Sequence, residues 1–128
     1  MNINELSKRA HDHAKKNGFF GDTPGLAIGD KIREECDEYD EAFSKGRDCD
    51  IPDGVLMNIH EDLTGGAFKS AAKSLFEGHV KNTIPDELVD GILVNMSGLI
   101  ELGYDPEAHI LAKLAYNSVR DDHVEVEG

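Results

Sequence analysis

Two pairs of acidic residues have the spacing that places side chains on one face of a helix. Glu35 and Glu38 form the first pair, and Glu87 and Asp90 form the second. Residues three apart lie on adjoining turns of the same side of a helix, and hard divalent cations such as Mg2+ prefer carboxylate oxygens as ligands. A cation held in this way keeps positions for water and for phosphate oxygens. The spacing therefore predicts a magnesium site suited to phosphate chemistry.

The helical period separates Glu35 from the other acids in its segment. Glu35 falls on the same arc as Ile28, Ile32 and Tyr39, which form the apolar side of the predicted helix. Two carboxylates at the border of a core raise each other's pKa unless a cation lies between them. A cation bound near Glu35 and Glu38 is the more economical of these two explanations.

Glycine, proline and capping residues divide the chain into helical segments, and no segment has the pattern of a strand. Thr83 followed by Pro85 and Asp86 is typical of a helix start, with a proline in the first turn and an acid three residues after the cap. The predicted helices cover residues 3–17, 26–45, 52–65, 67–80, 85–102 and 106–120. The sequence therefore predicts one all-α domain over residues 1–128, folded as a bundle of four or more helices.

The fifth predicted helix is apolar over an unusually wide arc. Its main stripe and the apolar residues beside that stripe are Leu88, Ile92, Met96 and Leu99, with Val89, Leu93 and Ile100. A helix of this kind is usually buried on more than one side, and two-fold dimers are the commonest soluble oligomers. We therefore expect a homodimer. The alternative is that Phe68, Leu75 and Phe76 of the same chain cover this face.

Composition narrows the range of partners. The 128 residues include 26 acids against 13 lysines and arginines, for a net charge of −13. Such a charge disfavours binding to a nucleic-acid polymer and to an anionic membrane surface. No apolar stretch has the length of a membrane span, and no signal peptide is expected. Cys36 and Cys49 do not form a disulfide framework and indicate free thiols in a cytoplasmic, reducing environment.

These segments together resemble the MazG-like family of all-α nucleotide pyrophosphohydrolases. The family signature of E-x-x-E followed by E-x-x-D on a later helix matches Glu35–Glu38 and Glu87–Asp90, and its K-x-x-x-N-x-x-R ending matches Lys113–Arg120. The segment AKKNGFF is similar to the family's opening helix and aromatic turn. The resemblance implies hydrolysis of a nucleoside triphosphate to a monophosphate and pyrophosphate. It also implies a dimer or a pair of dimers.

The resemblance also implies roles for individual residues. Mg2+, with Mn2+ as a possible substitute, would be held by Glu35, Glu38, Glu87 and Asp90. Glu38 is the carboxylate that we expect to orient the attacking water as a base. The residues expected to bind substrate phosphates are Lys113, Asn117 and Arg120. Lys113 and Arg120 have an alternative explanation as bases favoured near the C-terminus of a helix.

The chain departs from the family pattern in the distance between the two acidic pairs. Residues 39–86 separate them, and the extra length predicts an added segment over about residues 47–78 that leaves the preferred base and sugar open. A ferritin-like di-iron site is disfavoured, because no histidine follows a glutamate by three residues. The remaining alternative is a non-catalytic acidic helical module that binds nucleotides or proteins.

Overall fold

The computed structural model describes residues 1–120 and folds them entirely through helices, with no strand in that range. The helices are α1 (Ile3–Lys16), α2 (Pro24–Ser44), α3 (Asp53–Gly65), α4 (Lys69–His79), α5 (Ile84–Glu101) and α6 (Pro106–Val119). The prediction of an all-α fold is confirmed. No helix within residues 1–120 combines the length and the apolar content needed to cross a bilayer.

Helix α2, which carries the first acidic pair, ends at a glycine in the left-handed region. Gly46 has φ of 62°, and the amide of Arg47 donates to the carbonyl of Ala42 at 2.9 Å. Gly103 does the same after α5, with φ of 89°. A side chain at either position would be strained, because L residues rarely adopt this conformation. Both helices that carry the predicted site therefore stop where the sequence places a glycine.

The described residues divide into two compact units, and α2 and α5 each contribute residues to both. The first unit contains residues 1–29 and 93–120 and includes α1 and α6. Asn4 links these two helices, because its side-chain amide donates to Asp105 at 2.8 Å and its Oδ1 accepts from the amide of Glu107 at 3.0 Å. Asp105 also caps the start of α6 through the amide of Ala108.

A second polar link in the first unit joins α1 to the end of α5. Nε2 of His11 lies 2.9 Å from Oε2 of Glu101, and both side chains are largely shielded from solvent. The His11 ring also lies 5.5 Å from the ring of Phe20, which is buried. The aromatic turn after α1 thus packs against the same histidine that holds Glu101.

The second unit contains residues 30–92, in which α3 and α4 pack against each other. Its buried apolar side chains are Ala42, Ile59, Ala72 and Val80. The region predicted as an added segment, about residues 47–78, is occupied mainly by α3 and α4. The amide of Ile84 donates to the carbonyl of Arg47 at 2.8 Å, so the chain returns close to the end of α2 before α5 begins.

The first half of the α5 stripe is not covered by the described part of the same chain. Leu88 and Ile92 are exposed, whereas Glu87, Ser97 and Gly98 are buried. The physical reason is that small residues allow close approach, and the Ser97 hydroxyl is satisfied by the carbonyl of Leu93 at 2.7 Å. The inward face of α5 is therefore polar and small, and much of its apolar surface faces outward.

We expect Gly98→Val to lower the free energy of unfolding by about 1–3 kcal/mol. A Cβ at this position would lie 3.1 Å from Cγ2 of Ile28, within the first unit, and valine adds two further methyl groups. Urea unfolding followed by circular dichroism measures the change.

The matched control is Gly78→Val on α4, where a Cβ meets nothing within 4 Å. Valine is a better helix former than glycine, so a loss confined to position 98 reports crowding. Shortening Ile28 to alanine in the Gly98→Val background should recover part of the stability. Equal stability of the two single variants would contradict the close packing of Gly98 on Ile28.

Candidate metal centre

The four predicted carboxylates meet in the second unit. Glu35 and Glu38 project from α2, and Glu87 and Asp90 project from the first two turns of α5. Each offers one ligand oxygen, and these four oxygens all lie within 4.8 Å of one another. Residues far apart in the sequence thus form one group, called here the carboxylate cluster.

The start of α5 is held by local hydrogen bonds that fix Glu87 and Asp90. The carboxylate of Asp86 accepts from the amide of Asn82 at 2.9 Å, one residue before the Thr83 amide that a capping box would use. The Thr83 hydroxyl donates to the carbonyl of Val80 instead of capping the helix. Asn82 itself has φ of 66°, a conformation tolerated best by glycine and asparagine. The chain therefore turns sharply and enters α5 in a defined register.

One residue of each acidic pair is buried, and the other is half-buried. Glu35 is 6% exposed and Glu87 is 5% exposed, whereas Glu38 and Asp90 are half-buried. Oε2 of Glu35 and Oε2 of Glu87 are shielded from solvent and have no hydrogen-bond partner. A buried charged oxygen without a partner is costly, and buried polar atoms are nearly always satisfied. These two atoms therefore point to a ligand of the folded protein.

The half-buried members hold their protons unusually strongly. Burial, together with the neighbouring carboxylates of Glu35 and Glu87, raises the pKa of Glu38 to about 7. Burial also raises the pKa of Asp90 to about 6, with added repulsion from Asp86. Crowded carboxylates without a cation share protons in this way, so a divalent ion is the natural replacement for those protons.

Lys31 is a site residue that the sequence analysis missed. Its Nζ lies 3.2 Å from Oε1 of Glu35 and 3.1 Å from Oε1 of the exposed Glu34. Lys31 also lowers the pKa of Asp90 against the acids that raise it. The available signal was its position four residues before Glu35, a spacing at which helical side chains meet.

The donor set and its dimensions fit a hard divalent cation. Four carboxylates offer only oxygen, which suits Mg2+, Mn2+ or Ca2+. Ligands on opposite sides of Mg2+ are about 4.2 Å apart, which is twice the usual Mg–O distance. The separation of up to 4.8 Å in the cluster is close to this limit. Together with the two unpartnered oxygens, these dimensions make the cluster a candidate metal centre.

The three predicted phosphate-binding residues lie on or just after α6, in the first unit. Lys113 and Arg120 flank Tyr116, with their charged groups 5.2 and 6.0 Å from the centre of its ring. Asn117 is half-buried, and its Oδ1 is shielded without a hydrogen-bond partner. Their spacing places Lys113, Asn117 and Arg120 along one side of the helix. Their role in binding phosphate stays a prediction.

No protein-family model, no curated protein and no solved structure matches this chain.

In the absence of divalent ions, we expect the difference in stability between the parent and Glu38→Gln to depend on pH. The difference should favour the parent most near pH 5 and should decrease as the pH rises to about 8. The folded protein binds the Glu38 proton more tightly than the unfolded chain, because its pKa is raised from 4.5 to about 7. A raised acid pKa favours the folded state at low pH, and this advantage disappears as pH rises through the folded-state value. Thermal midpoints in EDTA measure the difference.

Glu41→Gln serves as the control for this pH series. Glu41 is exposed on the same helix, and its hydrogen bond with Lys45 lowers its pKa, so its removal should not stabilise the protein at high pH. If the difference in thermal midpoint between the parent and Glu38→Gln did not change with pH, the raised pKa of Glu38 would be contradicted.

Proposed function

We propose that this protein is a Mg2+-dependent nucleoside triphosphate pyrophosphohydrolase that releases a nucleoside monophosphate and pyrophosphate. The observation that carries the proposal is the carboxylate cluster, in which four acids from α2 and α5 lie within 4.8 Å of one another. The nucleotide substrate is supported by the resemblance of the two acidic pairs and the α6 segment to the MazG-like pattern. Mn2+ is the expected substitute for Mg2+.

The four carboxylates divide into two kinds under this proposal. Glu35 and Glu87 are buried, and each has a shielded oxygen without a hydrogen-bond partner, so they are suited to hold the ion. Glu38 and Asp90 complete the ligand set from half-buried positions. When bound, Mg2+ supplies neutralisation of charge on the phosphate oxygens and makes water a stronger acid.

Glu38 is the proposed general base. A base works best when its pKa lies near the working pH, and burial beside other carboxylates brings the pKa of Glu38 to about 7 in the metal-free cluster. Its half-buried position leaves part of the side chain accessible to solvent. Glu38 would accept the proton of the attacking water while the substrate bond breaks between the α and β phosphates.

Lys113, Asn117 and Arg120 are the proposed phosphate contacts. A lysine and an arginine both bind phosphate, arginine through its planar fork and lysine as a point charge. The side-chain amide of Asn117 has an NH2 group that can donate to a phosphate oxygen. The free thiols of Cys36 and Cys49 fit the proposed cytoplasmic location.

The activity test uses pyrophosphate release from a panel of canonical and damaged nucleoside triphosphates. We expect turnover only with Mg2+ or Mn2+, and we expect Glu38→Gln and Asp90→Asn to lower kcat/KM by roughly 10²–10⁴-fold. Glu41→Gln is the matched control, because Glu41 is an exposed acid on the same helix and lies outside the cluster. Turnover by both cluster variants at the rate of the parent would refute the assignment.

The same measurements identify the alternative function. A thermal shift caused by Mg2+ without pyrophosphate release from any nucleotide would favour a non-catalytic binding module. Loss of that shift in Glu87→Gln would still locate the ion at the carboxylate cluster.

We also propose that the protein is a homodimer, or a pair of such dimers. Leu88, Val89 and Ile92 are exposed on α5, and Leu111 and Leu114 are exposed on α6. Exposed apolar side chains that neighbour one another along a single helix, as in each of these two sets, commonly mark an interface between proteins. A second copy is the simplest cover, because two-fold self-association is the commonest arrangement of soluble oligomers.

Light scattering tests the assembly. We expect a mass of at least twice the 14.0 kDa of one chain, and we expect Leu111→Glu with Leu114→Glu to reduce it towards one chain by burying charge in the interface. Met57→Glu on α3 is the control, since Met57 is equally exposed outside these two helices. A parent protein that stays at 14.0 kDa with full activity would defeat the dimer.

A further inference from the structure

Lys31 brings a positive charge into contact with the carboxylate cluster. Its Nζ contacts Oε1 of Glu35, a member of the cluster, at 3.2 Å and Oε1 of Glu34, which lies outside it, at 3.1 Å. The Lys31 side chain is 31% exposed, so its ammonium lies at the boundary between the cluster and solvent. One cation is therefore shared between a buried acid and an exposed acid.

The two oxygens of Glu35 have different environments. Oε1 receives the ammonium of Lys31, whereas Oε2 is shielded and has no hydrogen-bond partner. Burial alone would lower the pKa of Lys31, but its hydrogen bonds to Glu34 and Glu35 outweigh burial and raise it. A lysine side chain is charged at neutral pH, so Lys31 is a cation where the carboxylates are ionised.

We propose that Lys31 is the resident counter-ion of the metal-free cluster and that it yields Glu35 to the divalent ion when the ion binds. The proposal rests on the metal centre of the proposed function. Divalent ions carry twice the charge of the ammonium, so they outcompete it for the same carboxylate. Competition from Lys31 therefore raises the concentration of divalent ion that is needed to fill the site.

Glu34 provides the position to which Lys31 withdraws. Because Nζ already contacts both acids, release from Glu35 requires only a small side-chain movement and leaves the ammonium paired with Glu34. An exposed pair of this kind is weak and readily rearranged. Displacement of the lysine therefore exposes no unpaired charge.

The test measures binding of Mn2+ alone by isothermal titration calorimetry at about pH 8, where the carboxylates are ionised. Lys31→Met keeps the length of the side chain and removes its charge. We expect this variant to bind Mn2+ roughly tenfold more tightly than the parent, because the competing cation is gone. Lys31→Arg should retain the parent affinity.

Thermal stability gives a second readout that does not depend on activity. In EDTA, Lys31→Met should have a lower thermal midpoint than the parent, because Glu35 loses its cation. With saturating Mn2+, the gap should close, as expected of a ligand that binds the folded variant more tightly. Lys45→Met is the matched control, because Lys45 pairs with Glu41 at the end of the same helix, and it should leave Mn2+ affinity unchanged.

Glu34→Gln provides an opposite change in case Lys31→Met does not fold. In this variant, Glu35 is the one acid of the two that still pairs with Lys31, so the lysine competes more strongly for it. Glu34→Gln should therefore bind Mn2+ several-fold more weakly than the parent does. Asp37→Asn removes an equally exposed acid from the same helix and controls for lost negative charge alone. A Glu34 effect no larger than that of Asp37→Asn would overturn the exchange.

The outcomes separate this inference from the proposed hydrolysis. Unchanged or weaker Mn2+ binding by Lys31→Met would overturn the counter-ion role whether or not the parent hydrolyses nucleotides. If Lys31→Met binds Mn2+ more tightly and the parent hydrolyses no nucleotide, the counter-ion role is supported and the proposed pyrophosphohydrolase activity is refuted. Absence of Mn2+ binding by the parent would overturn both.

Discussion

Negative charge held away from water is the constraint on which the rest of this molecule depends. Four carboxylates lie within 4.8 Å of one another, and two of their oxygens are shielded without a hydrogen-bond partner. The chain around them carries a net charge of −13, so its average field adds to the repulsion. Such an arrangement persists only if folding enforces it and a positive charge relieves it. Protons, Lys31 and a divalent ion are the three means of relief that the geometry allows.

The same constraint explains why α5 has its apolar residues on the outside. Glu87 and Asp90 must face α2 to complete the cluster, and the helical period then assigns Ser97 and Gly98 to the inward arc as well. The bulky residues fall on the remaining arc, where Leu88 and Ile92 are exposed. The acids therefore determine which face of α5 points inward, and the leucine on the opposite face is left exposed within the chain.

Much of this architecture could be predicted from the sequence because its signals are local. Gly46 and Gly103 end α2 and α5 where expected, and Asp105 with Pro106 begins α6. The inward position of Glu35 follows from helical period alone. Two features could not be predicted in this way. The exposure of Leu88 depends on which face of α5 packs against the rest of the chain. The contacts of Lys31 with two acids depend on side-chain rotamers. The spacing of apolar residues determines neither feature.

The hydrogen bond between the amide of Ile84 and the carbonyl of Arg47 closes the base of the segment that contains α3 and α4. Because the two ends already meet there, flexible residues added between them cost mainly loop-closure entropy, at about 0.6 kcal/mol for each doubling of loop length. Residues can thus be gained or lost where α3 and α4 join, around Gly66, with little effect on the register of α5. In evolutionary terms, the segment is a place where the molecule can diversify while the carboxylates on either side of it in the sequence stay fixed.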